Sequence, residues 1–513
     1  MEAGMRSLGA LVLLCVLTLG CAGAAGAQPA GTLTWAVHVT LATRWLDTSE
    51  TESDITPFMV LYALHDALVK PMPGNLNAPC LAESWTVAKD GRTWEFTLRK
   101  GVRFHNGEPV TAEDVKFSFE RYRGAASTLF KERVREVQVV DPGHVRFVLK
   151  EAWPDFMTFF GTSASGAGWV VPKKYVEKVG EDGFRKAPIG AGPYKFVSFQ
   201  PGVELVLEAF DGYWRKTPGV KRLVLRSVPD EATRAAALKR GDVDIAYYLN
   251  GPIADDVRRT PGLTLNATRT NGVLWVEFPE QWTPGSPWAD RRVRLAASLA
   301  IDRQAINEAE ALGFSAPTGN IVPRHQEFAL PIEAHPYDPK RARALLAEAG
   351  YPNGFEAGDL TPYPPYFGMG EAIASYFAAV GIKTRLRTME RAALLSAWRD
   401  KKLRGVFVGA TGSAGNASTR LEAFATTKGG LAYGAVPEVD ALFARQLQEV
   451  DRRKREETLH QIQRLLADRV AFAPIWENGF IRAVGPRVEE SALTLIQAFP
   501  YSAPLEDVRL KRQ

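Results

Sequence analysis

Cysteine is nearly missing from this chain, with only Cys15, Cys21 and Cys80 among 513 residues. The first two lie in a leader-like start and Cys80 stands alone, so no disulfide framework holds the fold. The seven histidines are scattered, without His-Glu-x-x-His or paired Cys/His spacing, and no metal site is expected. No Walker A Gly-Lys-Ser/Thr, third glycine of a dinucleotide fingerprint or Gly-x-Ser-x-Gly elbow occurs. No cofactor is therefore expected, and nothing marks the chain as an enzyme. An excess of either charge is also missing: 63 Lys and Arg face 58 Asp and Glu, for a net charge of +5 and a pI of about 8.9. The dense basic run Arg452-Arg453-Lys454-Arg455 is followed at once by Glu456-Glu457, a solvated helix face in character, so nucleic acid is not an expected partner.

A hydrophobic fraction of 46% and a charged fraction of 24% are those of a soluble globular protein. The length implies two or three domains. Residues 1 to 27 read as a signal peptide, with Arg6 ahead of an apolar run from Leu8 to Leu19 that falls short of the roughly 20 residues needed to span a bilayer. Glu2 is out of place in such a leader and Met5-Arg6-Ser7 is a more ordinary opening, so both starts stay open. Cleavage after Ala25-Gly26-Ala27 would free a soluble chain, whereas Thr18-Leu19-Gly20-Cys21 reads as a variant lipoprotein site that would anchor the protein at Cys21.

Gly91 to Val115 is the most informative stretch. Trp94, Phe96 and Leu98 alternate with polar residues in the period-two pattern of a half-buried strand. Asn106-Gly107 supplies a turn, and Thr111 with Asp114 can satisfy the open amides of a following helix that buries Val115, Phe119 and Tyr122. Farther on, Pro188-Ile189-Gly190-Ala191-Gly192-Pro193-Tyr194 places glycines for turn conformations ahead of a strand. Asp230 caps a helix that Gly241 ends, and Tyr337-Asp338-Pro339 opens another. From about Asn271 the pattern becomes mostly helical.

Gly91 to Val115 resembles the D-G-R-T-W-x-F-x-L-R-x-G-V-x-F-H block of the bacterial family 5 extracytoplasmic solute-binding proteins, over some thirty positions counted from Asp90. Pro188 to Tyr194 is similar to that family's P-x-G-x-G-P-Y, and Asp290 to Arg303 resembles its D-x-R-V-R helix ending in A-I-D-R. The resemblance covers nearly all of the mature chain. It implies an α/β, periplasmic binding protein-like fold of the class C cluster: two α/β lobes joined by a hinge, with an inserted third domain. Lobe I would take 28–60, 190–270 and 480–513, the inserted domain 61–189, and lobe II 271–479. The implied function is the extracytoplasmic substrate-binding component of an ABC importer, which captures a peptide or related small solute by lobe closure and hands it to permease subunits of the inner membrane. The expected location is periplasmic and the expected state monomeric. A solute-sensing adaptor and a secreted enzyme are the rival readings.

Peptide carriers of the family place an aspartate in a lobe II segment to receive the peptide's α-amino group. In Gly409 to Thr419 that place falls to Ser413, and Ala410 stands where a tryptophan is usual. An ammonium buried without a partner costs several kcal/mol, so the departure favours a non-peptide solute such as an opine, oligosaccharide or chelate. Ser413 and Asn416 become candidate ligand residues, the alternative being a loop that only closes the cleft. Trp45, Trp275 and Trp476 fall where relatives line their clefts, and each reads either as a stacking platform or as core. Glu277 and Glu477 are candidate charges at the same crossovers.

Overall fold

The computed structural model describes residues 28–50, 57–124, 126–161, 165–364, 366–412 and 415–512. The leader, with Cys21 and both possible starts, lies outside the described residues, as does Ser413.

One 11-stranded mixed sheet runs through the molecule. Its opening strand, Ala30–Val37, turns Leu33, Trp35 and Val37 into one core and Ala36 into another, as a strand covered on both faces must. Val220–Ser227 and Ile245–Leu249 flank it in parallel, and Glu204–Ala209 and Tyr194–Gln200 extend the sheet outward. At the far end Val406–Gly412, Phe355–Thr361 and Ile382–Leu386 form a second parallel group. Between the groups lie Thr264–Glu277 and Phe472–Val484, of 14 and 13 residues. Strands of this length, more than twice the common 5–6 or so, belong to both groups at once. The α/β expectation holds.

The first group packs on the fully buried helix Phe58–Leu64. The second is covered by helices such as Arg291–Ala300, Pro339–Glu348 and Arg452–Asp468, whose inward faces meet Val273, Trp275 and Val408. The helix starts follow the sequence signals: Asp230 accepts from the Thr233 amide at 2.8 Å and Asp338 from the Arg341 amide at 2.8 Å, while Gly241 ends its helix at φ 78°.

Thr93–Leu98 lies inside a separate four-stranded antiparallel sheet, between Ala82–Val87 and His144–Leu149. Phe96 meets Phe147 edge-on at 5.7 Å, and Phe147 meets Phe160 at 4.9 Å. Thr111 and Asp114 form the capping box at the start of Ala112–Glu120. The second Asp114 oxygen accepts the Lys173 amide at 2.9 Å, so one carboxylate ties two helices together.

The glycines of Pro188–Tyr194 act differently from the expectation. Neither Gly190 nor Gly192 has a positive φ. A Cβ on Gly190 would stand 2.0 Å from the Leu64 carbonyl oxygen and one on Gly192 2.5 Å from the Leu64 carbonyl carbon, so close backbone approach, and not turn geometry, excludes a side chain. His105 fastens the segment. Its Nδ1 accepts from the Gly190 amide at 3.2 Å and its Nε2 donates to the Gly192 carbonyl at 3.0 Å, which defines a neutral tautomer. Burial holds the His105 ring down to about 3 and the buried His65 ring to about 4.

Both histidines stay neutral in the fold and take up a proton near 6.5 once unfolded, so stability falls as pH drops below about 6.5. The expected loss by pH 5 is about 2 kcal/mol per histidine, from roughly 1.4 kcal/mol per pH unit for each proton. Urea midpoints measured from pH 7.5 to 5 check this: the wild type should lose more stability across the range than the His65→Gln, His105→Gln double variant.

Candidate functional site

The two long strands pair from Thr264 with Val484 to Arg269 with Gly479, then again from Val273 with Glu477 to Glu277 with Phe472. Between these runs the ladder is broken. Thr270 bridges instead to Ala498, the Gly272 amide donates to Thr270 Oγ1 at 2.9 Å, and the Asn271 carbonyl accepts from Arg420 at 3.0 Å. An interruption satisfied from outside the ladder leaves the side chains of both strands free to face the junction of the two sheet groups.

An aromatic wall stands on the side of the first sheet group. The His38 ring lies 5.0 Å from that of Tyr248 and 5.7 Å from that of Tyr501, and Phe480 packs against Tyr248 at 4.7 Å. Tyr248 has φ 58°, a left-handed backbone unusual for a bulky residue. The buried Arg234 holds it there, donating to the carbonyls of Tyr247 at 2.8 Å and Tyr248 at 2.6 Å, as well as to Val228 and Pro229. The Tyr248 hydroxyl is hydrogen-bonded to Tyr366 from the opposite side, and Tyr366 also accepts from Asn478 Nδ2 at 3.1 Å. Burial pushes the Tyr366 hydroxyl well above its ordinary range, so the bridge is neutral.

Beside the broken ladder is a cavity of about 270 Å³ in which three parts of the chain meet. Leu76, Asn77 and Thr158 come from the segment with the four-stranded sheet, Phe499 from the C-terminal region, and Asn271, Glu327, Gly415, Asn416 and Arg452 from the other side. The volume lies just under the 300–1,000 Å³ or so usual for small-molecule pockets. Amide and hydroxyl groups dominate the lining. Asn271 is 7% exposed and its Oδ1 has no hydrogen-bond partner among the described residues, an acceptor that a solute N–H would satisfy. Among the described lining residues the one carboxylate is Glu327, which Arg452 already pairs at 3.2 Å.

The other charges are also taken. Glu477 is 1% exposed and receives Arg324 Nε at 3.0 Å as well as the Arg324 amide at 2.9 Å. Burial pushes Glu277 up to about 8, and it accepts the Trp275 indole N–H at 3.0 Å. Neither supplies a free charge to the cavity.

Of the residues singled out from sequence, Asn416 is brought to the cavity wall, where Oδ1 caps the helix Ala417–Ala425 and Nδ2 donates to Asp155 at 2.7 Å. Trp275 does not reach it. The ring is fully buried among Trp398, Phe424 and Phe472, and a Cβ on Gly409 would fall 2.7 Å from it; with its ring enclosed and its N–H bonded, it packs and has no face to offer a ligand. Trp476 is buried in the same core, although its N–H is without a partner among the described residues. Trp45 is half-buried in the short helix Thr43–Leu46 against the core of the first sheet group, its N–H also without a partner among the described residues. Ser413 lies outside the described residues. Sequence reasoning missed Asn271, Asp155, Tyr248 and Tyr366. The first was within reach, because Asn271-Gly272 inside an apolar strand run signals a bulge.

A family profile described as bacterial extracellular solute-binding proteins, family 5 middle, matches residues 78–431. Heme-binding protein A of Haemophilus influenzae is 27% identical over 80% of this chain and 81% of its own length. The dipeptide-binding protein of Escherichia coli is 30% identical over 66% of this chain and 68% of its own length. The crystal structure of the ABC transporter substrate-binding protein CtaP from Listeria monocytogenes superposes with a TM-score of 0.80 at 21% identity, covering 94% of this chain and all of the other.

Trp275→Ala should lower stability by about 3–5 kcal/mol, the usual cost of truncating an enclosed tryptophan. Urea denaturation measures that loss. Under native conditions the same variant should keep its solute affinity within about threefold of wild type, because its ring is enclosed by protein.

Proposed function

The chain belongs to the bacterial extracellular solute-binding proteins of family 5, substrate-binding components of ABC transporters for peptides and related solutes, and on that premise we propose that it holds its solute in the cavity beside the broken ladder. The observation that carries this reading is the lining: neutral amides, an unpartnered buried Asn271 oxygen, and a lone carboxylate already paired with Arg452. Such a site suits a small polar solute without a free ammonium. A peptide's α-amino group would have to compete with Arg452 for Glu327 or remain unpaired, and a buried ammonium left unpaired costs several kcal/mol. Ser413 in place of the amino-binding aspartate supports the same direction. An opine, oligosaccharide, chelate or blocked peptide is therefore favoured over an ordinary peptide.

In this reading the bodies that move are 28–60 with 190–270 and 480–513, together with the inserted domain 61–189, against 271–479. The solute gains by preferring the closed arrangement, and only that preference shifts the equilibrium. The chain acts as a monomer, presents the closed form to permease subunits of the inner membrane and leaves its solute chemically unchanged. Family members work outside the cytoplasm, and no helix among the described residues is long and apolar enough to cross a membrane. We place the mature protein in the periplasm, free after Ala27 or tethered through Cys21.

Isothermal titration of the mature protein with dialanine and with N-acetyl-dialanine tests the amino-group argument. The acetylated form should bind at least about tenfold tighter, the equivalent of roughly 1.4 kcal/mol. A wider thermal-shift screen of tripeptides, opines, oligosaccharides and chelates should show saturable binding without turnover. A micromolar dissociation constant for an unmodified tripeptide would overturn the solute class, and catalytic conversion of a solute would overturn the transport reading.

A further inference from the structure

We propose that Asp155, in the inserted domain and outside the cavity, is a positioning residue for solute capture: it draws Asn416 and the helix Arg452–Asp468 onto the cavity when the seam between the inserted domain and lobe II is closed. The proposal rests on the cavity reading above.

Asp155 precedes the short helix Phe156–Phe160, the place where an aspartate ordinarily accepts amides of the first turn. Its side chain caps nothing there. Instead Oδ1 accepts from Arg455 Nη1 at 2.7 Å and Asn416 Nδ2 at 2.7 Å, while Oδ2 accepts from Arg455 Nη2 at 2.5 Å. The pair is bidentate and charge-assisted, the strong kind, and the two residues are 6% and 3% exposed. The network goes on. Arg455 Nε donates to Gln446 at 2.9 Å, and Gln446 Nε2 donates to Ser418 Oγ at 2.9 Å, back at the start of the helix that Asn416 caps. Asn416 has its Oδ1 committed to the cap, so Nδ2 is left for Asp155. Arg452, one turn before Arg455, also lines the cavity.

The rest of the packing shows why this contact governs closure. Apolar packing joins the inserted domain to lobe I, since Ala67, Met72, Cys80 and Trp169 share the lobe I core. Asp47 and Arg121 add a bidentate bridge at 2.7 and 2.8 Å. The lobe II core takes no residue before Val273 among those described. Among the described residues the hydrogen bonds across that seam are those of the buried Asp155 network and a long one from Thr158 Oγ1 to Glu327 at 3.5 Å, and opening the seam would return the two charges of the network to water.

The test uses the full mature chain carrying Lys89→Cys and Glu457→Cys, both exposed, for spin labelling. Cys80 is 1% exposed and burial pushes its thiol up to about 12, so it stays unlabelled. Pulsed electron resonance should show longer inter-label distances in Asp155→Asn than in wild type without any solute, with Asp155→Glu restoring part of the short population. With N-acetyl-dialanine as probe, Asp155→Asn should raise the dissociation rate at least tenfold. Asn416→Ala should do the same, and the double variant should be no worse than either single one. A merely structural role would lower the thermal midpoint and leave the distances and the dissociation rate unmoved. Unchanged distances, or a dissociation rate within twofold of wild type, overturn the proposal. If wild type does not bind the probe, the solute reading fails while the distances still decide the role of Asp155. Should Asp155→Asn not fold, Arg455→Gln is read in the same way.

Discussion

Everything at the junction depends on the interruption of one antiparallel ladder. Two strands that run through both sheet groups lock those groups in register as long as their amides pair, and between Arg269 and Val273 they stop pairing. The freed backbone groups find partners elsewhere, in the Ala498 bridge, the Thr270 hydroxyl and the Arg420 guanidinium. An unpaired buried amide would be costly, so the break exists only because these partners converge on it. It directs Asn271 to the cavity and Asn478 to Tyr366. The same few residues thus lie both at the break between the two sheet groups and on the wall of the cavity.

Around this break, buried charge is distributed with a consistent logic. Arg234 is spent on backbone carbonyls that hold Tyr248 in a left-handed conformation, Glu477 is matched by Arg324, and Glu277 is pushed toward neutrality by burial. The cavity itself is lined by amides and a hydroxyl together with His325 and the Glu327–Arg452 pair. A site that discriminates by neutral hydrogen bonds selects against ions, because a buried ion without a partner costs far more than a missed neutral bond. Two buried charge pairs join distant parts of the chain. Asp47 with Arg121 ties the segment after the opening strand to the end of the helix Ala112–Glu120, and Asp155 with Arg455 ties the start of Phe156–Phe160 to the helix Arg452–Asp468. A buried ion pair adds little net stability over apolar packing of the same shape, so its use at a seam is to specify one arrangement.

Much of the scaffold was legible in the sequence because its causes are local. The alternation of Trp94, Phe96 and Leu98, the Thr111 and Asp114 box, the Asp230 and Asp338 caps and the Gly241 stop all act within a few residues, and each appears where the pattern put it. The glycines at 190 and 192 were noticed for a local reason and proved to be needed for a distant one, the approach of the chain at Leu64. The tryptophans were the weak point. Trp275 occupies a crossover strand as expected, but whether a strand residue faces core or cleft depends on which side the neighbouring sheet group covers, and Gly409 with Phe424 covers that one.

The sequence by itself determined the family, the α/β class, the scarcity of cysteine and the departure at Ser413, because composition, periodicity and motif wording are properties of neighbouring residues. Only the tertiary structure decided which residues share a cavity. Asn271, Asn416 and Thr158 line one cavity, and Asp155 meets Arg455 across 300 positions of chain. No period or spacing encodes such a meeting; it arises when separately built cores are brought to a common seam and their remaining polar groups must find one another.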